Sequence, residues 1–175
     1  WDPFFEAVEE NPYLADFYRD MKTWAFHSQL FFLGHKFRIH QELASHVGTV
    51  VQDRTIYEDA EIFATALHQS RRINSRDWAT YWDLYATICR SLTPPDLMIH
   101  LRCPLPILRK RIRSRGRKME QNMPPAYLRR LEGLYETWIA GYRHSEKIVI
   151  DAGSLDYITD LVHRIDVMKR IEAFL

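Results

Sequence analysis

Short apolar stretches alternate along the chain with longer amphipathic segments. Three of these stretches are rich in β-branched or aliphatic residues, bounded by Gly, Pro or Asp, and typical of buried strands; they are residues 49–52, 97–101 and 147–150. Phe4 and Phe5, directly after Pro3, predict a fourth strand. Short buried strands that alternate with helices indicate a parallel sheet covered on both faces.

Helical patterns fill the intervals between these strands. They cover residues 21 to about 46, 57–69, 75 to about 92, 104–115, 124 to about 144, and 155–174. Asn74 can cap the third segment, with Asp77 at its third position, and Gly116 is a stop signal for the fourth. This alternation predicts an α/β fold, in which ligands bind beyond the carboxyl ends of the strands.

Composition and charge narrow the class of protein. Of the 175 residues, 46% are hydrophobic and 27% charged, which excludes a disordered, collagen-like or disulfide-scaffold protein. The formal net charge of +1 gives no general attraction to nucleic acid or a membrane. No apolar stretch approaches the roughly 18 residues of a membrane span, and no signal peptide opens the chain. With Cys89 and Cys103 in neither a metal nor a disulfide pattern, we expect one cytoplasmic domain over 1–175.

The glycines argue against a phosphate-binding loop within this sequence. There are six, at positions 34, 48, 116, 133, 141 and 153, and no two lie close together. Neither G-x-G-x-x-G nor G-x-x-x-x-G-K-[ST] can therefore be present in the chain.

A dense basic run occupies residues 109–118, with seven basic residues and no acidic one. Arg111 and Arg115 share a helix face, and Gly116 lets the chain turn so that Arg117 can reach the same place. Guanidinium forks match phosphate oxygens, so the run can bind an anion. A solvated or RNA-binding face is the alternative, although overall neutrality and the lack of a second basic patch count against nucleic acid.

Two carboxylate positions at strand ends are candidate catalytic groups. Asp53 and Arg54 follow the strand at 49–52 and could hold a metal-bound phosphate and steer a reacting hydroxyl. A plain salt bridge is the alternative. Glu6 follows the aromatic pair and could be a general base or one acid of a surface run.

A polar residue also interrupts an apolar helix face. Phe26, Gln29, Leu33 and Lys36 are spaced so that they share one face of the first long helix. A glutamine there needs partners for its amide, which a nucleobase edge or the protein core could supply.

The order of these motifs resembles the deoxynucleoside kinase family, most closely its bacterial deoxyadenosine/deoxyguanosine kinase branch. The segments that carry the resemblance are Glu6, Asn-Pro-Tyr-Leu at 11–14, Tyr18, Trp-Ala-Phe-His-Ser-Gln at 24–29, 53–63 and 111–121. The resemblance implies a three-layer P-loop kinase fold, with a parallel sheet flanked by helices. It also implies ATP-dependent phosphorylation of the 5′-hydroxyl of a deoxyribonucleoside, with Mg²⁺, a purine preference and a homodimer formed through the helices near 21–46 and 75–92.

The resemblance assigns a role to each matching residue of the nucleoside site. Glu6 matches the general base, and Tyr18 and Glu120 match the pair that holds the sugar 3′-hydroxyl. Gln29 matches the amide that reads the base. The residues that match the walls and the far edge of the base site are Val8, Phe26, Phe63, Asp59 and Lys36, the last standing where the family usually has arginine.

The phosphate site is implied in the same way. Asp53 matches the acid that helps to hold magnesium, and Arg54 the arginine near the 5′-oxygen and the transferred phosphoryl group. The matching arginines of a lid over the ATP phosphates, at about 111–120, are Arg111, Arg115 and Arg117. Asp156 and Tyr157 match the loop that contacts the ATP adenine.

Three other functions stay open at this point. A nucleoside monophosphate kinase such as a thymidylate kinase would share the fold, a kinase-like interaction subunit would lack catalysis, and a nucleic-acid-binding module would rest on 109–118 alone. Family members carry a central strand, the phosphate loop and the first helix just before the residue that matches Trp1. We therefore expect this part to be missing from the chain as given, which by itself should bind a nucleoside poorly and transfer no phosphate.

Overall fold

The computed structural model describes residues 1–5, 10–117, 123–156 and 159–174. It divides into two compact units. The first comprises Trp1–Thr93 together with Gly133–Tyr135, and the second comprises Pro94–Glu132 and Glu136–Leu175. The prediction of a single domain over 1–175 stays a prediction.

Each unit contains one two-stranded parallel sheet. In the first, β1 (Asp2–Phe4) pairs with β2 (Val50–Gln52), with Phe4 opposite Gln52. In the second, β3 (Leu97–Arg102) pairs with β4 (Glu146–Asp151). The four predicted strands and their parallel arrangement are confirmed. The strand predicted at Phe4–Phe5 ends at Phe4, whose carbonyl accepts the N–H of Asp53 at 2.8 Å, while Phe5 is exposed.

Eight α-helices and one π-helical segment are present in the described part of the chain. They are α1 (Leu14–Arg19), α2 (Met21–Ala44), α3 (Ile56–Glu58), the π-helical segment (Asp59–Ala64), α4 (Thr65–Gln69), α5 (Ser75–Cys89), α6 (Leu105–Arg115), α7 (Pro125–Gly141) and α8 (Leu161–Glu172). None of these helices is long and apolar enough to cross a membrane. The predicted α/β fold is confirmed.

The helix ends follow the predicted signals, with two differences. Asn74 accepts the N–H of Asp77 at 2.9 Å, and Gly116 ends α6 with a φ of 75°. The helix predicted from residue 155 begins at Leu161, because the carboxylate of Asp160 caps it by accepting two backbone N–H groups. Helix α1 has only six residues, too few for a helical period to be detected in the sequence.

The predicted face of α2 is buried and supports the core of the first unit. Seven residues along it are buried: Ala25, Ser28, Gln29, Leu33, Lys36, Ile39 and His40. In the second unit, Ile148 and Ile150 of β4 pack with Ile171 of α8. The buried face of α2 therefore carries four polar residues among its apolar ones: Ser28, Gln29, Lys36 and His40.

Candidate active site

A tight turn that contains Asp53 and Arg54 follows β2, and a buried lysine holds it. Lys36 is 0% exposed, and its ammonium donates hydrogen bonds to the backbone carbonyls of Asp53 at 3.1 Å and Arg54 at 2.7 Å. Arg54 has a φ of 61°, which is unfavourable for a residue with a side chain. The two charge-assisted bonds from Lys36 stabilise this conformation of the turn.

The turn directs the Arg54 side chain onto an aromatic ring. The guanidinium carbon of Arg54 lies 4.3 Å from the ring centroid of Phe63, within the range of a cation–π interaction. Asp53, the neighbouring residue, is exposed. Lys36 thus holds the backbone of Arg54 and Phe63 holds its side chain, so the guanidinium is already positioned before an anionic group binds.

The segment after the turn is fixed by a carboxylate that the sequence analysis did not single out. Glu58 accepts the backbone N–H of Thr55 at 2.7 Å and the hydroxyl of Tyr135 at 3.2 Å. Burial, followed by the charge of Glu58, raises the pKa of Tyr135, so its phenol stays a neutral donor. The Thr-x-x-Glu pattern of 55–58 is a capping-box signature that could have revealed Glu58. No sequence signal identifies Tyr135.

The helix beyond this cap is π-helical from Asp59 to Ala64. Asp59, at its start, is 3% exposed, and Phe63 lies in the same segment. The phenol of Tyr81 is buried near Asp59: burial, and then the charge of Asp59, raise its pKa well above the ordinary value. Short π-helical segments occur often at functional sites, because the wider turn redirects side chains.

The α2 face also carries a buried, unsatisfied amide. Gln29 is 5% exposed, and its side-chain oxygen has no hydrogen-bond partner among the described residues. One position away, Ser28 Oγ accepts a hydrogen bond from the amide of Asn11 at 3.0 Å. This bond attaches the predicted Asn-Pro-Tyr-Leu segment to α2. A buried unsatisfied acceptor is costly unless a ligand supplies a donor.

Tyr18 and Phe26 are half-buried residues of the first unit. Tyr18 lies in α1 and packs edge-on against Phe17, and Phe26 lies in α2 with an edge contact to His27. The structure therefore brings together Lys36, the Asp53–Arg54 turn and Phe63 through direct contacts, and it places Gln29 on the helix face that carries Lys36.

In the second unit, the predicted lid arginines lie at the end of α6. Arg115 is its last residue, Gly116 turns the chain, and Arg117 follows; both arginines are exposed. Arg111 is different, because its guanidinium donates to the backbone carbonyls of Ala152 at 2.8 Å and Leu155 at 3.0 Å. The loop containing Asp156 is thereby attached to α6.

Four predicted site residues, Glu6, Val8, Glu120 and Tyr157, lie outside the described residues, and their roles stay predictions. Within the described ranges, no three His, Cys, Asp or Glu side chains form a cluster that could hold a metal ion. A magnesium ion that arrives with a nucleotide needs only one or two protein carboxylates, because the phosphates supply further oxygens. The exposed carboxylate of Asp53 at a strand end fits that requirement.

The chain matches known proteins in sequence. The deoxynucleoside kinase family profile matches residues 1–175. The chain is 34% identical over 159 residues to a deoxyadenosine/deoxycytidine kinase of Bacillus subtilis, covering 89% of this chain and 72% of that protein. It is 34% identical over 180 residues to a deoxyadenosine kinase of Lactobacillus acidophilus, covering 97% of this chain and 82% of that one.

The fold comparison gives the same result. A structure of deoxyadenosine kinase from M. mycoides with bound dATP superposes with a TM-score of 0.84 and 28% sequence identity, covering 98% of this chain and 86% of that one. The predicted P-loop kinase-type fold is confirmed by this likeness. The family profile, the sequence identities and the fold agree, and the chain belongs to the deoxynucleoside kinase family of phosphotransferases.

Proposed function

We propose that this protein transfers the γ-phosphoryl group of ATP to the 5′-hydroxyl of a purine deoxyribonucleoside, deoxyadenosine or deoxyguanosine. The observation that carries the proposal is the Asp53–Arg54 turn held by the fully buried Lys36. Such a turn presents a carboxylate and a guanidinium at the carboxyl end of a parallel strand, where α/β proteins bind their ligands. The names of its relatives, deoxyadenosine kinases among them, support the substrate class.

The nucleoside site would be built on α2 and the π-helical segment. Gln29 offers an acceptor and a donor, which match the amino group and ring nitrogen on the edge of a purine. Phe26 and Phe63, with Val8, would form the walls, and Asp59 and Lys36 would face the far edge of the base. Tyr18, together with Glu120, would hold the 3′-hydroxyl.

Phosphoryl transfer asks a protein mainly for positioning and positive charge. Arg54 would contact the 5′-oxygen and the transferred group, with its backbone fixed by Lys36. Arg115 and Arg117, both exposed, would face the ATP phosphates as the lid, while the third matching arginine, Arg111, donates to the carbonyls of Ala152 and Leu155. Glu6 would accept the proton of the 5′-hydroxyl. Magnesium, held by Asp53 and the phosphates, would supply charge neutralisation at the transferred group.

The experiment is a kinase assay on the full-length protein. Deoxyadenosine, deoxyguanosine and deoxycytidine are each incubated with ATP and Mg²⁺, and the monophosphate is quantified; deoxycytidine is included because one relative is named for it. Arg54→Lys should lower kcat by about 100-fold, because a fork that contacts the transferred group is lost. Arg38→Lys, an exposed substitution on α2, is the control.

Two results would contradict the proposal. If no deoxynucleoside is phosphorylated while deoxythymidine monophosphate is, the protein is a monophosphate kinase with the same fold. If Arg54→Lys retains full kcat, the assignment of Arg54 is wrong even when the substrate class is right.

A homodimer through α2 and α5 belongs to the same proposal. Leu30 on α2 and Leu84 on α5 are exposed apolar residues, 38% and 40% accessible. Sedimentation velocity should give a dimer that Leu84→Glu converts to a monomer; a monomeric parent protein would contradict this assignment.

A further inference from the structure

The loop after β4 is attached to the rest of the second unit at several points. The amide of Ala152 donates to the carbonyl of Arg102 at 2.8 Å, and the amide of Gly153 donates to its neighbour Asp151 at 2.9 Å. Leu155 packs against the apolar cluster formed by β4 and α8. The amide of Asp156 donates to the ring Nδ1 of His163, in the first turn of α8, at 3.1 Å. Residues 152–156 are thus fixed by β3, β4 and α8.

A further attachment of this loop comes from α6, through the side chain of Arg111. One terminal nitrogen of Arg111 donates to two carbonyls of the loop, those of Ala152 at 2.8 Å and Leu155 at 3.0 Å. The other terminal nitrogen contacts the sulfur of Cys103, just before α6, at 3.6 Å. The two carbonyls and the sulfur take three of the five N–H donors of the guanidinium, including both of one terminal nitrogen, which leaves fewer for a phosphate.

We propose that Arg111 is a positioning residue that holds the 152–156 loop against α6 and so couples the lid to the loop that selects the donor base. The selection part rests on the proposed function, because only there is this loop assigned to adenine; the anchoring part does not. If Arg111 bound the donor phosphates, its substitution would lower kcat/KM equally for every nucleoside triphosphate, since the triphosphate is common to all of them. If Arg111 anchors the loop that contacts the donor base, its substitution would lower kcat/KM unequally among donors with different bases.

The test uses Arg111→Lys in the full-length protein. Lysine keeps the charge but cannot span two carbonyls and a sulfur with one rigid fork. Arg113→Lys is the matched control, because Arg113 lies on the same helix and is exposed. Arg111→Gln, whose carboxamide can still donate to one carbonyl, replaces Arg111→Lys if the latter does not fold.

The first measurement is amide hydrogen exchange. In Arg111→Lys, the rate of amide exchange in the 152–156 loop should rise at least about tenfold. Each charge-assisted bond that is lost favours the folded loop over its locally opened form by more than that factor. Exchange in β4 should not change, and Arg113→Lys should match the parent protein throughout. Unchanged loop exchange in Arg111→Lys would overturn the anchoring role, whether or not the protein is a kinase.

The second measurement compares donors. The ratio of kcat/KM for ATP to that for UTP should fall by at least about threefold in Arg111→Lys and stay constant in Arg113→Lys. An equal loss for both donors would overturn the selection role and identify Arg111 as a phosphate ligand. A parent protein with no kinase activity would refute the proposed function, while the exchange experiment would still decide the anchor.

Discussion

Gly153 offers a direct test of how tightly the loop after β4 is packed. A Cβ atom added there would lie 2.6 Å from Cδ of Pro104 and 3.1 Å from a carboxylate oxygen of Asp151. Carbon atoms in contact are normally about 3.5–4.0 Å apart, so the loop or the proline ring must move by about 1 Å. The closed ring of Pro104, at the start of α6, cannot yield through a side-chain rotation, and the carboxylate oxygen of Asp151 is held by its hydrogen bond to the N–H of Gly153.

The expected cost of Gly153→Ala is that of overpacking, about 1–3 kcal/mol in the free energy of unfolding. Because the shifted loop carries Asp156, the KM for ATP should rise while the KM for the deoxynucleoside stays the same. Urea denaturation followed by circular dichroism measures the first effect, and steady-state kinetics the second.

Gly141→Ala is the matched control in the same unit. Gly141 is the last residue of α7, and an added Cβ there meets nothing within 4 Å. Since glycine is entropically unfavourable in a helix, this substitution should stabilise the protein by about 0.5 kcal/mol. If Gly153→Ala is as stable as Gly141→Ala, the close approach of the loop to Pro104 is not a feature of the folded protein.

Three further predictions follow from the first unit. Lys36→Met should lower kcat at least about tenfold, because the turn that carries Arg54 loses two charge-assisted bonds; a comparison of kcat with that of Lys36→Arg measures the effect, and an unchanged kcat contradicts it. Glu58→Gln should lower the free energy of unfolding by about 1–2 kcal/mol and be non-additive with Tyr135→Phe in a denaturation cycle; simple additivity would exclude the bond. Burial, then the charge of Lys36, lower the pKa of His40, so the unfolded chain binds this proton at higher pH. Neutral His40 therefore contributes to the free energy of unfolding above about pH 6.5, and this contribution is lost as the pH falls through the lowered pKa of the folded state. His40→Phe should flatten this loss in urea titrations at pH 7.5 and 5, and an unchanged slope would refute it.

The sequence was sufficient for the strands, for most helices and for the placement of Asp53 and Arg54 at the end of a strand. Asp53 could be placed at a strand end because the short β-branched segment 49–52 ends just before it, and the face of α2 could be assigned because its spacing follows the helical period. These patterns depend only on residues close together in the sequence, so they predict the same elements in any tertiary arrangement that buries these segments.

Contacts between residues that are far apart in the sequence could not be predicted in the same way. Lys36 and Arg54 are 18 residues apart, and nothing in either segment indicates that a buried ammonium meets the carbonyls of the turn. The lysine was expected to face the base edge through its side chain, a role that stays a prediction. Similarly, a basic run identified Arg111 as a cation but gave no information about its acceptors, which lie 41 and 44 residues further on.

The π-helical segment has a consequence for comparing this chain with its relatives. An i to i+5 hydrogen-bonding pattern places one more residue in the turn than an α-helix does, so side chains beyond Ala64 are rotated by about 100° relative to those before Asp59. A relative that lacks one residue between these positions would close an ordinary α-helix and present a different side chain where Phe63 now meets Arg54. A single-residue gap at 59–64 in an alignment is therefore a change in the wall of the site, and it outweighs several substitutions elsewhere on the same helix.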